Sequence, residues 1–163
     1  MKKLLIIGAG GHGYVVKETA EIVGEYEKID FVDDNCEIAV GKITDLEKLH
    51  KSYDSAFVSI GNNVFRNQLM DKLENMGYEL PILVHPTAYV SKSSKIGAGT
   101  IIEPKAAVNA NVFIGKGCIV SVGAVVDHNA VVGNYCHINA GAVVKSGIGI
   151  QDCTKIDAGQ VAE

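Results

Sequence analysis

The sequence contains no tryptophan, and aromatic residues are only 6% of its 163 residues, which argues against a core built on large rings. Its four cysteines, Cys36, Cys118, Cys136 and Cys153, form no C-x-x-C pair, so neither a zinc site nor a disulfide framework is indicated. No apolar run approaches the ~20 residues of a membrane-spanning helix. Basic charge is not in excess. The formal net charge is -4 and the sequence pI about 5.7, which disfavours a surface that tracks nucleic-acid phosphates. The opening Met1-Lys2-Lys3-Leu4-Leu5-Ile6-Ile7 has the basic start of a secretory signal. Its apolar stretch ends after four residues at Gly8, short of the roughly 7–15 such a signal requires. It reads instead as a first strand, and the protein as cytoplasmic. With 47% hydrophobic and 21% charged residues the chain has the composition of a folded protein, not a disordered one.

What is abundant is repetition. From Val90 onward every sixth residue is Val or Ile: Val90, Ile96, Ile102, Val108, Ile114, Val120, Val126, Val132, Ile138, Val144, Ile150 and Ile156. Four residues beyond each comes a mostly small or apolar one, among them Thr100, Ala106, Val112, Cys118, Ala124, Ala130, Cys136 and Ala142. Gly97, Gly115 and Gly133 recur every 18 residues. A helix of period 3.6 cannot hold a six-residue stripe on one face, and one strand cannot run this far. The pattern predicts a solenoid of three short strands per coil, each pointing one β-branched residue inward. Cys118 and Cys136 share the small-residue slot and are expected to stack inside as packing thiols.

The first half has another grammar. Lys3–Ile7, Lys28–Val32 and Ser55–Ile60 read as strands, with helices from Tyr14 to Val23 and from Val64 to Asn75 and a short one at Leu46–Leu49. Leu80–Val84 adds a last extended segment, and His85-Pro86-Thr87 reads as a linker. Strands alternating with helices imply a parallel sheet with helical crossovers. The expected organisation is an α/β Rossmann-like nucleotide-binding domain over residues 1–85 and a β-helix of about four coils over 86–163.

Gly8-x-Gly10-x-x-Gly13 follows a strand and opens a helix, and Asp33 lies 20 residues past Gly13. Glycines let backbone approach a phosphate, and a helix N-terminus offers free N–H donors. A full dinucleotide domain needs about six strands, and the repeats begin after about 85 residues. There is room for one half, so a mononucleotide or nucleotide sugar fits better than NAD. The competing reading is a tight strand-to-helix turn with no ligand.

His128 and His137 are the only histidines among the repeats. One coil away from His128 stand Ala110 and Ser146, both small, which leaves room for a substrate on the outside of the prism. Imidazole titrates near neutral pH and suits proton transfer from an amine or hydroxyl. For either residue alone the competing reading is a solvated surface side chain. A zinc site between chains would need three imidazoles and the repeats supply two, so no metal is expected.

The combination of Ile7-Gly8-Ala9-Gly10-Gly11-His12-Gly13, Phe31-Val32-Asp33-Asp34, Ile60-Gly61-Asn62-Asn63 with Arg66, His85-Pro86 and Gly123-Ala124-Val125-Val126-Asp127-His128 resembles the bacterial hexapeptide-repeat sugar acetyltransferases, the group that O-acetylates sialic acid and N-acetylates UDP-amino sugars. The resemblance covers essentially the whole chain. It implies a left-handed parallel β-helix, a homotrimer with active sites between neighbouring β-helices, and acetyl-CoA as co-substrate. It casts His128, with Asn129 beside it, as the catalytic base for direct attack on the thioester. It casts Gly10, Gly11, His12, Asp33, Asp34, Gly61 and Arg66 as nucleotide-sugar contacts, and His137, Ser146 and Ala158 as acetyl-CoA contacts. No metal, nucleic acid or membrane insertion is implied.

Three departures from the family pattern stand out. Asn129 occupies the place of a carboxylate, Ser121 stands where the family often has Asn, and the repeats stop at Glu163 where relatives add coils. They motivate an alternative, a nucleotide-binding trimer with weak catalysis. An NAD-dependent oxidoreductase rests on the glycines alone.

Overall fold

The computed structural model describes residues 2–163, and these divide into two compact units that meet between Pro81 and Ile82 in the chain. In the first, β1 (Lys2–Ile7), β2 (Tyr26–Val32) and β3 (Ser55–Val58) form a parallel sheet in the order β2-β1-β3. Leu4, Leu5, Ile6 and Ile7 are fully buried in succession, as expected of a central parallel strand covered on both faces. The crossovers carry α1 (Gly11–Val23) and α2 (Leu46–Leu49), and α3 (Asn63–Met76) follows β3. Helix α1 ends at Gly24 with φ 75°, and α3 at Gly77 with φ 87°, the left-handed conformation that stops a helix. The third glycine of the fingerprint is required by packing: a Cβ on Gly13 would sit 2.2 Å from the Gly8 carbonyl oxygen. Only a hydrogen there lets α1 start this close to the end of β1.

The second unit is a parallel β-helix of fourteen two-residue strands, β4 (Leu83–Val84) to β17 (Val161–Ala162), in three sheets. Partners lie 18 residues apart throughout, for example Leu83, Ile101, Ile119, His137 and Lys155 in one sheet. The second residue of each strand points inward and the residue four beyond it fills the corner, so Val108, Val112, Val126, Ala130, Val144 and their equivalents form one continuous core. Burying each valine contributes on the order of 1.5–3 kcal/mol. Cys118 and Cys136 are fully buried in this column. Their thiols donate to the carbonyls of Gly133 (3.1 Å) and Gln151 (3.0 Å), repeating the Thr100 hydroxyl bond to Gly115.

The corners have a period of their own. Gly99, Lys105, Asn111, Gly117, Gly123, Asn129, Tyr135, Gly141, Gly147, Cys153 and Gly159, every sixth residue, all have φ between 56° and 71°. Each turns the chain from one sheet to the next.

The β-helix starts before the segment read as a linker. Leu83–Val84 pairs with Ile101–Ile102 and belongs to the first coil, not to the α/β half. Val84 is one hexapeptide before Val90, so the aliphatic series extends through His85-Pro86-Thr87. The third strand stops at Val58, two residues short of the expected Ile60, because Ser59 turns away to meet the Gly8 loop: its Oγ lies 2.8 Å from the Gly8 carbonyl.

Candidate active site

In the α/β unit the sheet order reverses at β1, and a cleft of about 190 Å3 opens there at the carboxyl ends of the strands. Ligands of open α/β sheets bind at this switch point. The cleft is floored by Ile7, Gly8, Val32 and Ile60 and walled by Asp33, Asp34, Asn35, Ile43 and Phe65. Gly10 caps α1 with no side-chain bond, Gly11 is exposed at its first turn, and neither has any atom within 4 Å of where a Cβ would be. That open backbone at a helix N-terminus suits an anionic group. His12 follows half-buried in the same turn, and Gly61 is exposed ahead of α3.

The acidic pair is already engaged with backbone. Asp33 Oδ2 accepts the Ala9 N–H (2.9 Å) and Oδ1 accepts the Asn35 N–H (2.8 Å). These two bonds, Ala9 first, hold its carboxyl below the usual carboxylate range against the opposing effect of burial. Asp33 therefore ties the glycine loop to the end of β2. Asp34 is exposed at the cleft and accepts from the Ile43 N–H with one oxygen (2.9 Å). Arg66 is fully buried: its guanidinium donates to the Ile60 carbonyl (2.8 Å) and to Asn63 Oδ1 (2.7 Å). It ties the start of α3 to the segment that precedes the Gly61 loop. Asn35, Ile43 and Phe65 were not anticipated from sequence. Nothing in a single chain distinguishes them from ordinary loop and helix-start residues.

In the β-helix, His128 lies exposed at the corner between β11 (Val125–Val126) and β12 (Val131–Val132). Ala110 and Ser146 occupy the same slot in the flanking coils, and the Gly147 N–H donates to the His128 carbonyl (3.0 Å). Asn129 is the left-handed corner residue, φ 62°. Asparagine tolerates this conformation better than most L-residues. The turn carries its Oδ1 to within 3.2 Å of His128 Nδ1. In the tautomer that carries its proton on Nδ1, this contact is a hydrogen bond to Asn129 and Nε2 keeps its lone pair. Asn129 thus supplies the orienting bond a carboxylate would, without the charge.

Asp127 precedes His128 in the chain. Its Oδ1 accepts the His128 backbone N–H (2.7 Å) and the Asn109 amide from the coil above (2.9 Å). Those bonds, in that order, hold its carboxyl below the usual range. Asn109 lies 18 residues before Asp127, so the coil period was the signal that could have found it.

His137 begins β13 (His137–Ile138), on a different sheet, half-buried, with Nε2 3.0 Å from Ser121 Oγ. Ala158 is exposed at the corner between β16 (Lys155–Ile156) and β17. Ser146 shares the His128 corner; His137 and Ala158 belong to another face and another corner of the prism. Among the described residues no group of three His, Cys, Asp or Glu side chains is arranged to hold a metal ion, and no helix is long and apolar enough to cross a membrane.

Residues 3–73 match the PglD N-terminal domain family. The whole chain superposes on the acetyltransferase domain of PglB from Neisseria gonorrhoeae with a TM-score of 0.89 and 31% identity, covering 92% of that chain. The PglB domain has also been solved with acetyl coenzyme A. The chain belongs to the hexapeptide-repeat sugar acetyltransferase family. A second member of that family, PerB from Caulobacter crescentus in complex with CoA and GDP-perosamine, matches all of this chain and 89% of its own at 30% identity and a TM-score of 0.85. The UDP-N-acetylbacillosamine N-acetyltransferase of Bacillus subtilis is 34% identical over 113 residues, 63% of this chain. The chain spans about half (51%) of that curated relative.

Proposed function

We propose that this protein transfers the acetyl group of acetyl-CoA to an amine on a nucleotide-activated sugar, with His128 as general base. The observation that carries the reading is the corner geometry of His128: an exposed imidazole flanked by small residues, its Nδ1 engaged by Asn129 so that Nε2 is the basic atom. His128 Nε2 takes a proton from the sugar amine as its nitrogen attacks the thioester carbonyl. The C–S bond then breaks, and the imidazolium returns its proton to the departing CoA sulfur. Attack is direct: Cys118 and Cys136 are sealed in the core and are not acyl carriers.

The nucleotide sugar lies in the cleft at the end of β1, its phosphates toward Gly10, Gly11 and His12, with Asp34 at the rim. Arg66 and Asp33 hold the walls. His137, Ser146 and Ala158 contact acetyl-CoA. Because His137 and His128 lie on different faces of one prism, a complete site takes the base from one chain and thioester contacts from a neighbour in a homotrimer. The outward column Tyr89, Ala107, Val125, Val143 and Val161 is apolar throughout, with Tyr89 and Val161 60% and 53% exposed, which suits packing against a second β-helix. We place the reaction in the cytoplasm.

Incubation with acetyl-CoA and a UDP- or GDP-linked 4-amino sugar, followed by free-thiol detection, tests the reading. Thiol release that depends on the amino sugar supports it; sugar-independent or absent release across the panel rejects it.

A further inference from the structure

Asp127 repeats a device found at two other corners. Asn109 Oδ1 accepts the Ala110 N–H (2.8 Å) and Asn139 Oδ1 accepts the Ala140 N–H (2.8 Å), as Asp127 Oδ1 accepts that of His128. A neutral amide is therefore sufficient to cap the residue that follows. At the one corner of the three that carries a histidine, the cap is a carboxylate. Its ionised form is held by the His128 backbone N–H and then by the amide of Asn109, one coil above. The next residue of the same column, Lys145, forms an ion pair with Glu163, so its charge is directed away from Asp127. Asn129, on the Nδ1 side, brings no charge.

We infer that Asp127, braced by Asn109 and bonded to the His128 backbone N–H, is a positioning residue that fixes a negative charge on the residue preceding His128, the charge that Asn129 does not provide. The inference rests on His128 being the base. As Nε2 takes the substrate proton, the ring becomes a cation, and a fixed carboxylate one residue away stabilises that cation more than it stabilises the neutral ring. The carboxylate helps the transition state and leaves ground-state binding of either substrate alone. Direct contact between Asp127 and substrate is not needed.

Asp127→Asn separates the two roles, because asparagine already caps the neighbouring corners. In the intact protein with saturating acetyl-CoA and amino-sugar nucleotide, kcat should fall by about two- to fivefold, the size of an exposed charge pair. Both KM values should hold within twofold and Tm should not change. The ratio of wild-type to variant kcat should shrink toward one at ~1 M salt, where the Debye length is about 3 Å. In a His128→Gln background the same substitution should cost nothing further, since its effect passes through the ring. Asn109→Ala, which removes the brace but keeps the charge, should give a smaller loss in kcat. A wild-type kcat for Asp127→Asn, a loss unchanged by salt, or an equal further loss in the His128→Gln background would each overturn the inference. Full turnover by His128→Gln alone would instead remove the base assignment on which it rests, so the two failures are distinguishable.

Discussion

Asn129 has two separable jobs, and three substitutions tell them apart. Its backbone must hold φ 62° at a corner, and its side chain must present Oδ1 to His128 Nδ1 at 3.2 Å. Glycine accepts that φ freely; alanine pays about 1 kcal/mol for it. For the β-helix unit, Ile82–Glu163, 1 kcal/mol moves Tm by roughly 4–8 °C. Both substitutions delete the orienting bond, worth about 0.5–1.5 kcal/mol and hence roughly three- to tenfold in kcat if it is kept into the transition state. Asn129→Gly should therefore melt with the wild type and lose kcat, while Asn129→Ala should lose the same kcat and melt a few degrees lower. Asn129→Asp tolerates the corner, keeps an acceptor at Nδ1 and adds charge, so it should equal or exceed wild-type kcat. Differential scanning calorimetry and the thiol-release assay read both axes. Wild-type turnover by Asn129→Gly would refute the orienting role, and equal melting of the alanine and glycine variants would refute the corner argument.

Gly13→Ala places a Cβ 2.2 Å from the Gly8 carbonyl oxygen, and should cost about 1–3 kcal/mol, as overpacking does, with loss of nucleotide-sugar binding measured by calorimetry. Asp34→Ala should raise the KM for the nucleotide sugar and leave that for acetyl-CoA nearly unchanged; equal changes in both would make the residue structural. Asp33 has a folded-state carboxyl below its ordinary value. Its stabilising effect is therefore complete above the unfolded carboxyl pKa of ~3.9 and disappears as pH falls through the lower folded value. Acid titration of Asp33→Asn, followed by circular dichroism, should show a shallower loss of stability below about pH 4 than the wild type.

The β-helix was almost wholly legible because its constraint is periodic: one inward aliphatic every six residues, with the coil stacked at 18. Only Val84 escaped, since Pro86 marked a break that the coil in fact runs through. The left-handed corners were not read from the sequence. Five of the eleven are not glycine, and Lys105, Tyr135 and Cys153 carry no sign of a positive φ. The α/β elements were placed to within a few residues by strand and helix pattern.

The candidate site was less legible, because sequence gives a residue's type and not the direction of its side chain. The resemblance implied Asp33 as a nucleotide-sugar contact; its position was legible, but not the two backbone N–H groups, of Ala9 and Asn35, that its carboxylate accepts. Arg66 was likewise legible as a residue but not as a buried one whose guanidinium donates to Ile60 and Asn63. Asn129 read as a lost carboxylate until the corner conformation brought its amide oxygen to the imidazole.

The central claim is that His128 moves the acceptor proton. Steady-state kinetics of His128→Ala, with the amino-sugar nucleotide as acceptor and thiol release as readout, test it most directly. The account predicts a fall in kcat of roughly 10²–10⁴-fold with acetyl-CoA binding by calorimetry intact and Tm unchanged. A His128→Ala protein that turns over within a fewfold of the wild type would contradict it.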